Sequence, residues 1–181
     1  MDKELFLSYL NQYVALATLA AFIILIFFFI LFYLKPKLKL FSHLYKFSLL
    51  ASFLITLVGL FLSLFYSEYL NIRPCGLCWF QRIFLYSQTV IFTVAYLKND
   101  LKVFVYTFWL SMVGLIVSLY QEYLQLGYSE IIPCPAISNF ADCAKPTFLE
   151  YGFITMPFSA AVLFGFLILF SLIVEKFRNN L

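Results

Sequence analysis

The chain has 181 residues, of which 64% are hydrophobic, 22% aromatic and 12% charged, with a net charge of +3 and a mean hydropathy of +0.96. Soluble domains run at about 45–50% apolar and about 25% charged, and the 24 phenylalanines here exceed what a core of this length could enclose, which excludes a water-soluble fold. The small positive excess carries no nucleic-acid signature, and the composition points to an all-α integral membrane protein.

A bilayer core about 30 Å thick needs roughly 20 apolar residues in a helix, because every backbone group must be satisfied within the segment. Stretches 13–34, 47–66, 79–97, 103–120 and 153–174 meet that need. The first reads as a retained anchor and not a secretory signal. Its leader, with Asp2, Lys3 and Glu4, has no positive excess, and lysines follow it where a small-residue cleavage site would stand. Residues 98–102 are so few that the third and fourth stretches must form an antiparallel hairpin.

Assigning the connections to alternate sides puts Lys35, Lys37, Lys39, Lys46, Lys98, Lys102, Lys176 and Arg178 on one face, opposed only by Asp100 and Glu175. The other face holds Lys3, Arg73, Arg82 and Lys145 against Asp2, Glu4, Glu68, Glu122, Glu130, Asp142 and Glu150. By the positive-inside rule the first face is cytoplasmic, with the N-terminus outside and the C-terminus inside, the parity that five crossings require. His43, the only histidine, then falls in a basic cytoplasmic loop.

All four cysteines fall on the outer face: Cys75 and Cys78 between the second and third stretches, Cys134 and Cys143 in the external segment 121–152. In an oxidising compartment two local pairs read first as two disulfides, either staples or reagents. As a staple, Cys75 and Cys78 enclose too short a loop to remove much unfolded-chain entropy. As a reagent the pair is well placed, because Pro74 before it and the apolar run after it put Cys78 in the first turn of a helix, where unpaired N–H groups favour a thiolate. Arg82 follows one turn deeper on the same face. A guanidinium there is costly, and it either serves the site or snorkels to head groups. Cys134 and Cys143 are compatible with exchange chemistry or with a surface clasp. A four-cysteine zinc site is disfavoured by the wide spacing of that second pair, and covalent haem by Trp79 where the haem motif has His.

The run Arg73-Pro74-Cys75-Gly76-Leu77-Cys78-Trp79-Phe80-Gln81-Arg82 resembles the signature of the disulfide bond formation protein B (DsbB) family, in its BdbC-like branch. Asp142-Cys143-Ala144-Lys145 and Gly152-Phe153-Ile154-Thr155-Met156-Pro157-Phe158 are similar to the family segment that joins the last external cysteine to the final span. The resemblance implies a four-helix transmembrane bundle, here with one additional N-terminal transmembrane helix. The divisions expected are 1–46 for that helix and a basic loop, 47–174 for the core and 175–181 for a cytoplasmic tail.

What the resemblance implies for function is a quinone-dependent protein-disulfide oxidoreductase of the bacterial inner membrane that reoxidises a DsbA-like extracytoplasmic thioredoxin-fold partner. Carried over by position, Cys134 and Cys143 exchange with the partner, and Cys75 and Cys78 pass electrons to a quinone, ubiquinone or menaquinone. Cys78 is then the nearer cysteine. Arg82 matches the arginine of the quinone site, where its charge could polarise a quinone oxygen or stabilise a thiolate–quinone charge-transfer state. No metal is implied.

Two disulfides in series relay an electron pair by thiolate attack, but a DsbA-type partner near about −120 mV is itself a strong oxidant, so a stronger acceptor is required. The chain has no Gly-rich dinucleotide fingerprint, and a lipid-soluble quinone meets the requirement. Two other classes stand beside this reading: a vitamin K epoxide reductase-like enzyme running the other way, and a non-catalytic membrane protein with structural disulfides. Around the site, Tyr66, Tyr69, Trp79, Phe80 and Tyr120 read as interfacial anchors. Residues 123–132 read as a segment lying on the membrane surface, and Ser87, Gln88 and Thr89 as helix-packing contacts.

Overall fold

In a computed structural model the described residues are 3–35, 38–131, 134 and 142–178. They form α1 (Lys3–Leu34), α2 (Lys39–Leu64) with a π-helical turn (Phe65–Tyr69) continuing it, α3 (Gly76–Lys98), α4 (Val103–Gln125) and α5 (Met156–Arg178). The apolar runs set the helix interiors, and polar signals set their ends. Asn99 closes α3 in the left-handed conformation, at φ 53°, and Asp100 Oδ1 then accepts the Lys102 N–H at 2.9 Å to start the hairpin into α4. Before α5 the chain reverses through Tyr151 and Gly152, both at positive φ, inside a bridge between Glu150 and Ile154. Thr155 caps α5 by accepting the Phe158 N–H at 3.3 Å, and Pro157 stands in the first turn, where no N–H is needed.

Helices α2, α3, α4 and α5 pack in a ring, each against the next and α5 back against α2. Outside the ring, α1 runs parallel to α5 and rests on it. The two helices differ sharply in surroundings: 67% of the most apolar window of α5 is buried, against 17% for α1. Core side chains such as Phe92, Phe104, Phe164, Leu167 and Ile173 therefore gather about α5.

Among the described residues, four helices are long and apolar enough to cross a membrane: α1, α2 with its π-helical extension, α4 and α5. The exception is α3, the least apolar of the five. Its polar side chains turn inward to partners: the buried Gln88 Oε1 accepts from Ser111 on α4 at 2.8 Å, and Thr89 donates to the Leu85 carbonyl at 3.0 Å. Packing contacts were the expectation for this pair, whereas Ser87 faces outward.

The basic connection after α1 is shorter than expected, because α2 begins at Lys39 and makes His43 and Lys46 helical. Likewise α4 runs past the expected end of its span to Gln125. A charge or an amide ends an apolar window without ending a helix.

Close helix approach depends on glycine. A Cβ on Gly114 of α4 would fall 2.5–2.8 Å from three atoms of the Phe164 ring, and one on Gly59 of α2 would meet the tip of Leu163 at 2.5 Å. A leucine methyl can swing aside and a ring wedged between helices cannot. Gly114→Ala is therefore expected to destabilise the bundle by about 1–3 kcal/mol despite alanine's better helix propensity, and Gly59→Ala by less. Thermal unfolding of both variants in detergent checks this ordering.

Candidate redox site

The site is built where α3 begins. Pro74 holds the chain extended, and Cys75 becomes the N-cap of α3, its Sγ accepting the Cys78 N–H at 3.3 Å. This local closure brings the two sulfurs to 2.8 Å without a bond between them. Cys75 is buried and Cys78 partly so. The first-turn position expected for Cys78 is the one found.

Gln121 of α4, fully buried, reaches across to the pair. Its Nε2 donates to Cys75 Sγ at 3.0 Å and to Cys78 Sγ at 3.1 Å, while its Oε1 accepts from Gln81 Nε2 of α3 at 2.7 Å. The Gln81 contact fixes the amide so that its nitrogen, and not its oxygen, faces the sulfurs. Sequence reasoning missed both glutamines. Gln121 fell at the edge of the external segment, and Gln81 was read only as a letter in a motif.

These contacts split the two thiols. The hydrogen bond from the Cys75 thiol, the amide of Gln121, the Cys75 backbone N–H and the Arg82 charge together outweigh burial and pull Cys78 down to about 6. Cys75 moves up, because it keeps the shared proton as donor to Cys78 and is buried beside the resulting negative charge. The split favours the negative charge on Cys78 and the proton on Cys75.

Cys134 and Cys143 are joined by a disulfide, with Cα atoms 6.2 Å apart. Cys143 and Leu124 are fully buried in one cluster with Cys75, against which Cys78, Cys134, Tyr120 and Tyr123 pack. The fold thus brings all four expected cysteines together. Gln125 Nε2 donates to the Cys143 carbonyl at 3.3 Å, and Thr155 donates to the buried Glu122 carboxylate, so the last turn of α4 grips both the disulfide and the start of α5. The surface-lying segment expected over 123–132 is corrected accordingly. Tyr123 to Gln125 are the end of α4, with Leu124 wedged inward by the buried cysteines, while Tyr128 and Ile131 are exposed and Ile132 lies outside the described residues.

Arg82 leans the other way. Its Nη2 donates to the Ser63 carbonyl of α2 at 3.2 Å, and its guanidinium carbon lies 5.6 Å from the centre of the Trp79 ring. With Ser67, Glu68, Asn71, Ile72, Arg73 and Pro74, these two residues line a cleft of about 300 Å³. The π-helical turn of α2 forms its wall, a distortion found often at functional sites. Among the expected interfacial aromatics, Tyr69, Trp79 and Phe80 are exposed; Tyr66 is not, being buried with a hydroxyl partner on α1.

The family described as Disulfide bond formation protein DsbB matches residues 45–174. The chain belongs to the DsbB family. Among its relatives, the SPbeta prophage-derived disulfide bond formation protein B of Bacillus subtilis (strain 168) is 41% identical over 113 residues, 62% of this chain and 75% of that protein. Disulfide bond formation protein C of the same strain is 33% identical over 134 residues, 73% of this chain and 95% of its own length. A probable disulfide formation protein of Chlamydia trachomatis serovar D is 36% identical over 124 residues, 68% and 88% of the two chains. No solved structure matches. This DsbB-family chain is a multi-pass membrane disulfide formation protein with two cysteine pairs, as its motifs led one to expect, and family membership implies thiol oxidoreductase activity.

Gln121→Leu removes the donor to both sulfurs. The pH at which Cys78 becomes half-reactive is expected to rise from about 6 by roughly one unit, because a hydrogen bond to the thiolate favours the charged form. The alkylation rate of Cys78 followed from pH 5 to 9 measures the shift, and Gln81→Leu should move it in the same direction by less.

Proposed function

We propose that this protein is a quinone-dependent oxidase of dithiols that renews an extracytoplasmic thioredoxin-fold partner of the DsbA type. The observation that carries the reading is that Cys75 and Cys78 adjoin two features: a disulfide, Cys134–Cys143, in the same buried cluster, and a cleft lined by Trp79, the next residue of α3, and Arg82, one turn beyond Cys78.

The residues fit a quinone. A volume of about 300 Å³ suits a single planar ring and lies at the small end of ligand pockets. The Trp79 face offers a stacking surface, and Arg82 a cation for a carbonyl oxygen. Ubiquinone and menaquinone, the candidates that the sequence raised, both present that chemistry. The quinone supplies a two-electron, two-proton acceptor, and this chain's residues do the rest.

The reduced partner gives two electrons and two protons to Cys134–Cys143 by thiol exchange, which leaves the partner oxidised and these two cysteines as thiols. One of those thiolates then attacks a sulfur of a Cys75–Cys78 disulfide, and the second thiol resolves the mixed disulfide. Cys134 and Cys143 are rejoined, and Cys75 and Cys78 become thiols. Cys78 as thiolate is the better nucleophile, Cys75 holds the second proton, and Gln121 steadies both. The pair gives the acceptor two electrons and the Cys75 proton, solvent returns the proton that Cys78 had released, and the Cys75–Cys78 disulfide is restored.

In this reading all five helices cross the bilayer. α3 is carried through by its neighbours, with Gln81 and Gln88 each hydrogen-bonded to a side chain of α4. The basic ends of the helices face the cytoplasm, the N-terminus and both cysteine pairs face outward, residues 47–174 are the catalytic core and 175–181 a cytoplasmic tail.

Purified protein given a small dithiol and a short-chain quinone is expected to consume the quinone, followed by its absorbance, and Cys75→Ala and Cys78→Ala to abolish this. Cys134→Ala should keep the dithiol-driven reaction and lose turnover with a protein partner. Arg82→Ala should raise the KM for quinone about tenfold, the effect of one charge-assisted contact. An intact protein that leaves quinone unconsumed would return the disulfides to a structural role.

A further inference from the structure

The first helix lies outside the residues shared with the family, 45–174, and the proposed mechanism gives it no part. Its contacts are not those of a loosely attached anchor. Towards the basic end they are apolar or small: Leu25 fills the space over Gly165 of α5, Phe22 meets Phe158 edge-on at 5.1 Å, and Thr18 shares a hydrogen bond with Ser159 at 2.9 Å. Towards the cysteine end α1 also reaches α2. Asn11 Oδ1 there accepts a hydrogen bond from the Tyr66 hydroxyl at 2.8 Å, with both side chains buried, among Ala15, Leu70, Phe148 and Ile154.

Tyr66 is the buried residue of the π-helical turn Phe65–Tyr69. Its neighbours Ser67 and Glu68 line the Arg82 cleft, as do Asn71 and Ile72 just beyond. The same stretch is held by the Ile72 N–H on the Tyr66 carbonyl at 3.1 Å, and it turns through Asn71 at φ 57°. A π-helical turn has poorer hydrogen-bond geometry than the α-helix it interrupts and persists where side-chain contacts hold it. Tyr66 is the inward contact of this turn, and its polar partner belongs to α1.

We propose that α1 is a positioning element for the quinone cleft: through the Asn11–Tyr66 hydrogen bond it fixes the turn of α2 that forms part of the cleft wall. Asn11 and Tyr66 are positioning residues, since neither lines the cleft itself. The inference rests on the assignment of this cleft to quinone. It gives the added helix a task that is separate from thiol exchange, because the cluster around Cys75 contains no residue of α1.

The test compares wild type, Tyr66→Phe, Asn11→Leu, the double variant and Thr18→Val in the dithiol and short-chain quinone assay. Each protein is also tested for Cys78 alkylation and for exchange with the small dithiol in the absence of quinone. Tyr66→Phe, which deletes one oxygen and leaves the packing intact, is expected to raise the quinone KM about 3- to 10-fold, the range of one buried hydrogen bond. The kcat at saturating quinone, the alkylation rate and the exchange rate should stay at wild-type values. Asn11→Leu should do the same, and the double variant no more than the larger single, since both changes remove one interaction. Thr18→Val, which removes the other polar tie of α1, should leave the KM unchanged.

A wild-type KM in both Tyr66→Phe and Asn11→Leu overturns the proposal, as does an equal rise in Thr18→Val, which would make α1 a general brace. Slowed alkylation or exchange in Tyr66→Phe overturns it too, by showing a disturbance of the whole fold. Failure of the wild-type protein itself to consume quinone defeats the quinone assignment first and this inference with it. That outcome is distinct from an active wild type with unaffected variants.

Discussion

The start of α3 is the constraint on which the rest of the site depends. A helix that begins at Gly76 leaves its first N–H groups without helical partners. Cys75 Sγ takes one of them, and the resulting turn brings Cys78 beside it. The same unpaired donors that make the helix end costly make a sulfur anion affordable there. A start one turn later would lose the cap, the sulfur contact and the alignment of Arg82 with Cys78 together.

That helix end then dictates what the neighbouring helices must supply. For the polar side chains of α3 that turn inward, α4 provides Gln121 and Ser111, and α2 provides the Ser63 carbonyl for Arg82. A buried network of this kind fixes rotation and register, because sliding α4 by one residue would leave Gln81, Gln88 and the sulfurs unpaired at once. The glycines allow the approach, and the polar contacts choose which approach is made.

Much of this could be read from the residues. Apolar run length revealed the helices, and the motif around Cys75 pointed to the family. The less legible parts were pairings between distant positions. Gln121 stands 43 positions from Cys78, in a stretch that hydropathy assigns to a loop, and nothing local reveals that its amide faces sulfur. Tyr66 looks like an interfacial anchor until α1 is seen to cover it. Leu124 beside Glu122 reads as one side of an amphipathic segment, whereas the fold turns Leu124 and Glu122 into different interiors. In each case local composition is compatible with two environments, and only the packing of another helix selects between them.

The grip of α4 on both ends of the outer segment has a kinetic meaning. Glu122 holds Thr155 where the segment returns, and Gln125 holds the backbone of Cys143, so the segment is closed at its base. In the proposed relay, encounter between the two cysteine pairs is then a tethered event, governed by an effective concentration and not by how much protein the membrane contains. Dilution in the bilayer leaves that internal exchange untouched and slows only the meetings with molecules from outside the chain. A tether of this sort also discriminates, because a stray thiol in solution must compete with a sulfur that is already in place.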